Sequence, residues 1–251
     1  MTAPSTSTPQ ALLQTNQLTM RFAPSYQLGP VDLRLAAGET VGVVGRNGAG
    51  KSTLFQLLTG NLDASSGEVH VDGHRLTPDT PRIKRLIGYL PQDPVLPRWA
   101  TGREVLSYAA RLYELPDIAQ RVAAAEAYWD CGSFRQKPLS TLSYGMQKRV
   151  ALALATLHEP RLLILDEPFS GLDLNHIKAL EELLTTRGSK GLTTVLSTHV
   201  TAFCARLCSR VWSIQDGRLE SIEPWQSLGQ VAREQAIETR FFAPPAALVS
   251  P

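Results

Sequence analysis

The chain is expected to fold as an α/β protein around a parallel sheet, and three observations carry that expectation. Thr40-Val41-Gly42-Val43-Val44 is a short β-branched strand that runs into a glycine-rich turn and then a helical segment. Leu162-Leu163-Ile164-Leu165 is an apolar run without alternation, bounded by Pro160 and Pro168, as suits a parallel strand buried on both faces. Val211-Trp212-Ser213-Ile214 and Arg218-Leu219-Glu220 flank Asp216-Gly217, a hairpin signal that closes the core.

The elements follow in order. The opening MTAPSTSTPQ lacks both a basic n-region and an apolar h-region, so residues 1–15 are expected to be a disordered tail and not a secretory signal. Residues 16–225 are read as one domain, strand-rich to about residue 92. The strand at 40–44 leads into Gly45-Arg46-Asn47-Gly48-Ala49-Gly50-Lys51-Ser52, a full match to G-x-x-x-x-G-K-[ST]. Thr53 to Thr59 reads as a helix closed by Gly60 at C′, and Val69-His70-Val71 as a short strand turning at Asp72-Gly73. From about 93 to 157 the pattern becomes that of an inserted helical lobe. Thr101-Gly102-Arg103-Glu104 is a capping box that opens a helix through Val105, Leu106, Ala109, Leu112 and Tyr113, with Pro116 as its stop. Ala119 to Trp129 forms the next helix, ended by Gly132. Ser143 has N-cap chemistry, and Met146, Val150, Ala153, Leu154 and Leu157 give the following helix an apolar stripe. The core resumes near His158 with strands at 162–165 and 193–197, and residues 226–251 form an extension to which no role is assigned.

The chemistry explains the residue types. Glycines at 45, 48 and 50, with Asn47 and Ala49 between them, let backbone N–H groups face a polyphosphate, and the helix N-terminus adds about half a positive charge. Lys51 is expected to neutralise β- and γ-phosphates, and Ser52, followed by Thr53, to offer its hydroxyl to Mg²⁺. Asp166 and Glu167 follow a strand, at the end where ligands of parallel sheets bind. Asp166 can hold the Mg²⁺ shell, while Glu167 can orient or deprotonate an attacking water. A nucleoside triphosphate with Mg²⁺ is the expected ligand.

Composition narrows the classes. A chain of 251 residues with 43% hydrophobic content suits a globular protein, and a formal net charge of +2 without a long basic run argues against nucleic acid as a partner. No segment approaches the ~20 consecutive apolar residues that a membrane span requires. Cys131, Cys204 and Cys208 are read as buried thiols, too few for a metal site even though the last two fall one helical turn apart.

With these residues in view, the chain resembles the nucleotide-binding subunit of an ABC transporter over roughly residues 16 to 222. Leu142-Ser143-Tyr144-Gly145-Met146-Gln147-Lys148-Arg149 resembles the LSGGQ signature. Gln92 in Gly88-Tyr89-Leu90-Pro91-Gln92-Asp93 matches the Q-loop, Ser170-Gly171-Leu172-Asp173 the D-loop, and His199 the switch histidine. The resemblance implies a P-loop NTPase core with an antiparallel β subdomain and an inserted helical signature subdomain, hydrolysing ATP. It implies that Gln92 senses γ-phosphate and Mg²⁺ at the hinge of the lobe, and that His199 contacts γ-phosphate and the water. Phe22 resembles the aromatic that stacks on adenine, with Tyr26 as a rival. By the same resemblance Ser143, Gly145 and Asp173 contact nucleotide, the signature of one subunit closing over ATP held by a second ATP-binding subunit. It further implies an integral membrane transporter subunit engaged through a groove near Pro94 to Trp99, a place at the cytoplasmic face of the inner membrane, and export. Tyr144 and Met146 depart from the family's glycine and glutamine. Tyr144 is expected to crowd the ribose or the opposing phosphate loop, and Met146 to remove a hydrogen-bonding amide. Two other readings stay open: a soluble ABC-type ATPase acting on DNA or ribosomes, and a low-turnover regulatory ATP-binding module.

Overall fold

The computed structural model describes residues 11–23, 26–77 and 79–242. It opens with β1 (Ala11–Ala23), β2 (Tyr26–Val31), β3 (Arg34–Ala36) and β4 (Thr40–Val44), followed by α1 (Lys51–Leu58). Next come β5 (Ser66–Val71), β6 (His74–Arg75), α2 (Pro81–Lys84) and β7 (Ile87–Leu90), then the helices α3 (Gly102–Leu112), α4 (Ile118–Tyr128) and α5 (Tyr144–Thr156). The chain returns through β8 (Leu162–Leu165), α6 (Leu174–Ser189), β9 (Thr193–Ser197), α7 (Thr201–Leu207), β10 (Arg210–Gln215) and β11 (Arg218–Ser221), and ends in α8 (Gln230–Phe242).

Two sheets organise these elements. An antiparallel sheet runs in the order β2-β1-β5-β6, with β3 also paired to β1. The second runs β11-β10-β4-β9-β8-β7, parallel throughout except for β11, which returns from β10 across Asp216-Gly217. The α/β expectation therefore holds in both its parallel core and its antiparallel sheet. Strand β8 shows why its sequence does not alternate: Leu162 and Ile164 join one apolar cluster with α1 and the antiparallel sheet, while Leu163 and Leu165 join the other with the helices. Each face buries its own side chains, so every position must be apolar.

Four boundaries differ from expectation. Strand β1 begins at Ala11, so a tail ending at residue 15 would cut through it. Leu12 and Leu13 are buried, and Leu13 pairs with both Leu35 and Val71. Residues 1–10 lie outside the described residues. Helix α3 stops at Leu112, ahead of Pro116, because Glu114 adopts φ 55°, with its N–H bonded to Arg111 O and that of Leu115 to Ala110 O. Helix α4 ends the same way at Asp130 (φ 48°), two residues before Gly132. Both are αL caps of the kind glycine usually supplies, made here by acidic residues. Where glycine does stand at that position, Gly60 after α1, the helix closes as expected, although it begins at Lys51 and not at Thr53.

The capping box of α3 forms as written: Thr101 Oγ1 accepts from Glu104 N–H, and Glu104 Oε2 accepts from Thr101 N–H at 2.8 Å. The three cysteines are buried free thiols. Beyond residue 225 the chain is not featureless: Trp225 is buried with its indole N–H on Cys208 O, and α8 packs on α7 with Ile237 fully buried. Residues 243–251, including Pro244 and Pro245, lie outside the described residues.

Candidate active site

Strand order brings the chemistry together. Strands β4, β9 and β8 are adjacent and parallel, so the loop after β4, the Thr198-His199 turn after β9 and the carboxylates after β8 gather at the carboxyl ends of these strands. The loop from Gly45 to Gly50 carries the chain into α1, and Gly50 sits at φ 106°, a backbone position that favours glycine. Lys51 is buried and curls back over this loop, its Nζ donating to Gly45 O (2.8 Å) and Arg46 O (3.2 Å). Burial lowers its pKa, against which Glu167 and Asp166 pull upward. Ser52 and Thr53 lie half-buried in the first turn of α1, and Gly48 and Asn47 at the tip of the loop. Ala49 O accepts the Tyr26 hydroxyl at 2.9 Å.

Asp166 is 1% exposed and Glu167 8%, and Glu167 adopts φ 46°, uncommon for a residue with a side chain. Ser197 Oγ donates to Asp166 Oδ1 (2.5 Å) and accepts the Glu167 N–H (2.9 Å). The other oxygen, Asp166 Oδ2, is buried and has no hydrogen-bond partner. Such an oxygen is costly unless something binds it, and a hard dication is the group it suits. Asp166 with the Ser52 hydroxyl therefore fits Mg²⁺, the phosphates of a ligand supplying further oxygens. His199 Nδ1 lies 2.9 Å from Glu167 Oε2, a contact that orients the imidazole ring with Nε2 on its other side.

The signature residues open α5, with Ser143 in the N-cap role its chemistry suggests. Ser143 caps α5, accepting from Met146 N–H at 3.3 Å. Tyr144 turns back onto its own chain: its hydroxyl donates to Gln92 O (3.0 Å) and its ring lies so close to Gly171 that a Cβ there would sit 2.5 Å from a ring carbon. Met146 packs half-buried against the helical core. Gly145 is required by close approach, since a Cβ would lie 2.6 Å from Gly171 O. Gln92 is exposed, and its carbonyl also accepts from Lys148 Nζ at 2.9 Å. Lys148 is fully buried; that burial lowers its pKa, and Asp166, Asp93 and Glu167 oppose the shift.

Asp173, expected at nucleotide, is engaged at the start of α6. Its Oδ1 accepts from Asn175 N–H, His176 N–H and lies 2.7 Å from His176 Nδ1, and these bonds hold its carboxyl below the usual range. Phe22 is 51% exposed with its ring 6.0 Å from that of Tyr26, so the two candidates for adenine stacking stand side by side next to the phosphate loop. Ser197 and Lys148 were missed in the sequence. Lys148 falls on the face of α5 opposite the Met146-to-Leu157 stripe, where a lysine reads as solvated, and Ser197 has no signal short of knowing that β8 and β9 are neighbours.

The ABC transporter family model matches residues 28–170, more than half of the chain, and an AAA domain model described for AbiEii toxins of type IV toxin–antitoxin systems matches residues 136–205. An uncharacterized ABC transporter ATP-binding protein of Methanocaldococcus jannaschii is 30% identical over 210 residues, 82% of this chain and 75% of that protein. The glucosylceramide transporter ABCA12 of Mus musculus is 30% identical over 86% of this chain, which spans only 9% of that relative's length. Among solved structures, the ATP binding subunit of an ABC transporter superposes with a TM-score of 0.80 at 28% identity, covering 90% of this chain and 99% of that one. The structure of cbiO1 from Clostridium perfringens, described as part of the ABC transporter complex cbiONQ, has a TM-score of 0.69 at 30% identity over 84% of this chain and 87% of its own.

Proposed function

The chain belongs to the ABC transporter family of ATP-binding proteins, and from that premise we propose that it hydrolyses ATP to drive export through a separate membrane-embedded subunit. The observation that carries this is the meeting of Lys51, Asp166, Glu167 and His199 at the carboxyl ends of adjacent strands of the parallel sheet. Entering phosphates would take Lys51 Nζ from the Gly45 and Arg46 carbonyls it holds in their absence. Glu167 is the proposed base, with His199 holding its carboxylate in place. Asp166 and Ser52 are the proposed Mg²⁺ holders, and Mg²⁺ when bound would neutralise charge on the phosphate oxygens. Phe22 or Tyr26 would stack on adenine.

A second ATP-binding subunit is proposed to complete each site through Ser143 and Gly145. Glu167→Gln with ATP and Mg²⁺ is expected to sediment as a dimer, and adding Ser143→Arg to return it to monomer. A dimer indifferent to ATP and to Ser143→Arg would sink this arrangement.

A membrane partner is supported by surface chemistry. A cleft of about 420 Å³ between β7 and the helices α3 and α5 is lined by Tyr89, Val105, Tyr108, Leu112 and His158, among others. Residues 94–99 do not line this cleft but stay open to a partner as well, Val95 and Trp99 being 96% and 83% exposed. Tyr108 and Leu112 remain 69% and 61% exposed on its rim. No described helix is long and apolar enough to cross a membrane. Co-expressed with its membrane subunit, the protein should sediment with membranes and survive a high-salt wash that strips electrostatic binders. Leu112→Asp should lose that association while binding ATP normally. Recovery chiefly on ribosomes or DNA, with no membrane protein in a mild-detergent pull-down, would promote the soluble alternative.

A further inference from the structure

We propose that Ser197 is a positioning residue for ATP hydrolysis: its hydroxyl holds Asp166 and Glu167 in the two different attitudes their roles require. This rests on the ATPase reading above. Ser197 ends β9, is fully buried, and neighbours β8 in a register where Leu196 pairs with Leu165. A serine hydroxyl has one proton to give, and this one is given to Asp166 Oδ1 at 2.5 Å. Its lone pair takes the N–H of the next residue, Glu167, at 2.9 Å.

Two consequences follow. With Oδ1 fixed, the Asp166 carboxylate is locked so that Oδ2 is left buried and unpartnered, the single anionic oxygen available to a metal or its water. The Glu167 amide is satisfied while its backbone is held at φ 46°, a conformation that persists only where its surroundings enforce it. That backbone turn aims the side chain at His199, 2.9 Å from Nδ1. A serine that merely satisfied a buried carboxylate would lower stability when removed and leave the chemistry of the folded protein alone.

The test uses the full chain with Ser197→Ala and Ser197→Thr. Hydrogen bonds to charged groups contribute about 1.5–3 kcal/mol, a factor of roughly 10 to 100. Ser197→Ala should lower kcat by about that factor and weaken Mn²⁺ binding, read by electron paramagnetic resonance with a non-hydrolysable ATP analogue, by about tenfold. Binding of metal-free ATP should stay at the parent value, and Ser197→Thr should restore kcat and Mn²⁺ affinity in part. Should Ser197→Ala fail to fold, Ser197→Cys, of similar size but a weak donor, reads the same quantities. A Ser197→Ala or Ser197→Cys protein with a lower Tm but parental kcat and Mn²⁺ affinity would overturn the proposal. A parent protein without Mg²⁺-dependent hydrolysis would instead overturn the ATPase reading on which it stands.

Discussion

Glu167→Gln is expected to bind ATP as the parent does and to lose turnover by about 10²- to 10⁴-fold, the range a positioned general base contributes. Glutamine keeps the shape, and its amide carbonyl can still face His199 Nδ1, so the surrounding turn should hold. What disappears is basicity at the carboxyl that ends β8, 8% exposed and paired to an exposed histidine. The loss of a negative charge beside the phosphate loop cannot weaken the binding of an anion. Single-turnover hydrolysis and equilibrium nucleotide binding, measured on the same preparation, separate the two quantities. Hydrolysis near the parental rate would remove Glu167 from the role of base.

Lys51→Ala is expected to fail earlier, at binding. The ammonium is buried at the loop and held by two carbonyls, Gly45 O and Arg46 O, that a phosphate would replace as its partners. Losing one charge-assisted contact costs about 1.5–3 kcal/mol, and Lys51 faces more than one phosphate oxygen, so ATP affinity should fall at least about 10- to 100-fold. The pH dependence has a definite sign. Burial lowers the Lys51 pKa from 10.5 in the free protein, and a bound polyphosphate must raise it, so ATP binding takes up a proton in the alkaline range between the two values. Affinity should decline as pH rises through the free-protein pKa of Lys51. Titration calorimetry in two buffers of different ionisation enthalpy reads that proton directly, and Lys51→Ala should abolish it.

The features legible in the sequence are those written in consecutive residues. The phosphate loop, the double-faced run of β8, the Thr101–Glu104 box and the Asp216-Gly217 turn each announce themselves within about eight positions, and each forms. Helix stops were harder, because Glu114 and Asp130 take a conformation that their side chains do not advertise. The start of β1 was misjudged because Leu12-Leu13 is too short a run to show periodicity, although its burial between β3 and β5 is complete. At the site, residue types implied ligands but not directions. Asp173 is a helix cap in the described chain, and Tyr144, though 44% exposed, lays its ring against Gly171. Ser197 depends on the order of strands in space, which no stretch of sequence states.

The carbonyl of Gln92 carries a mechanical consequence. It is gripped by two donors from one helix, the Tyr144 hydroxyl and the Lys148 ammonium, and the latter has no exposure to water through which to be compensated. Rotating the peptide after Gln92 would take a charge-assisted hydrogen bond from a buried ammonium, a loss of about 1.5–3 kcal/mol. The Gln92 peptide is thereby welded to α5 and travels with it as one lever. Any hinge between this peptide and the core is confined to the short connection at Pro91, since the β7 ladder holds Leu90 and the proline ring fixes its own φ. Rotation of the helical lobe on the core, were it to occur, would carry the glutamine side chain with α5 across this short connection.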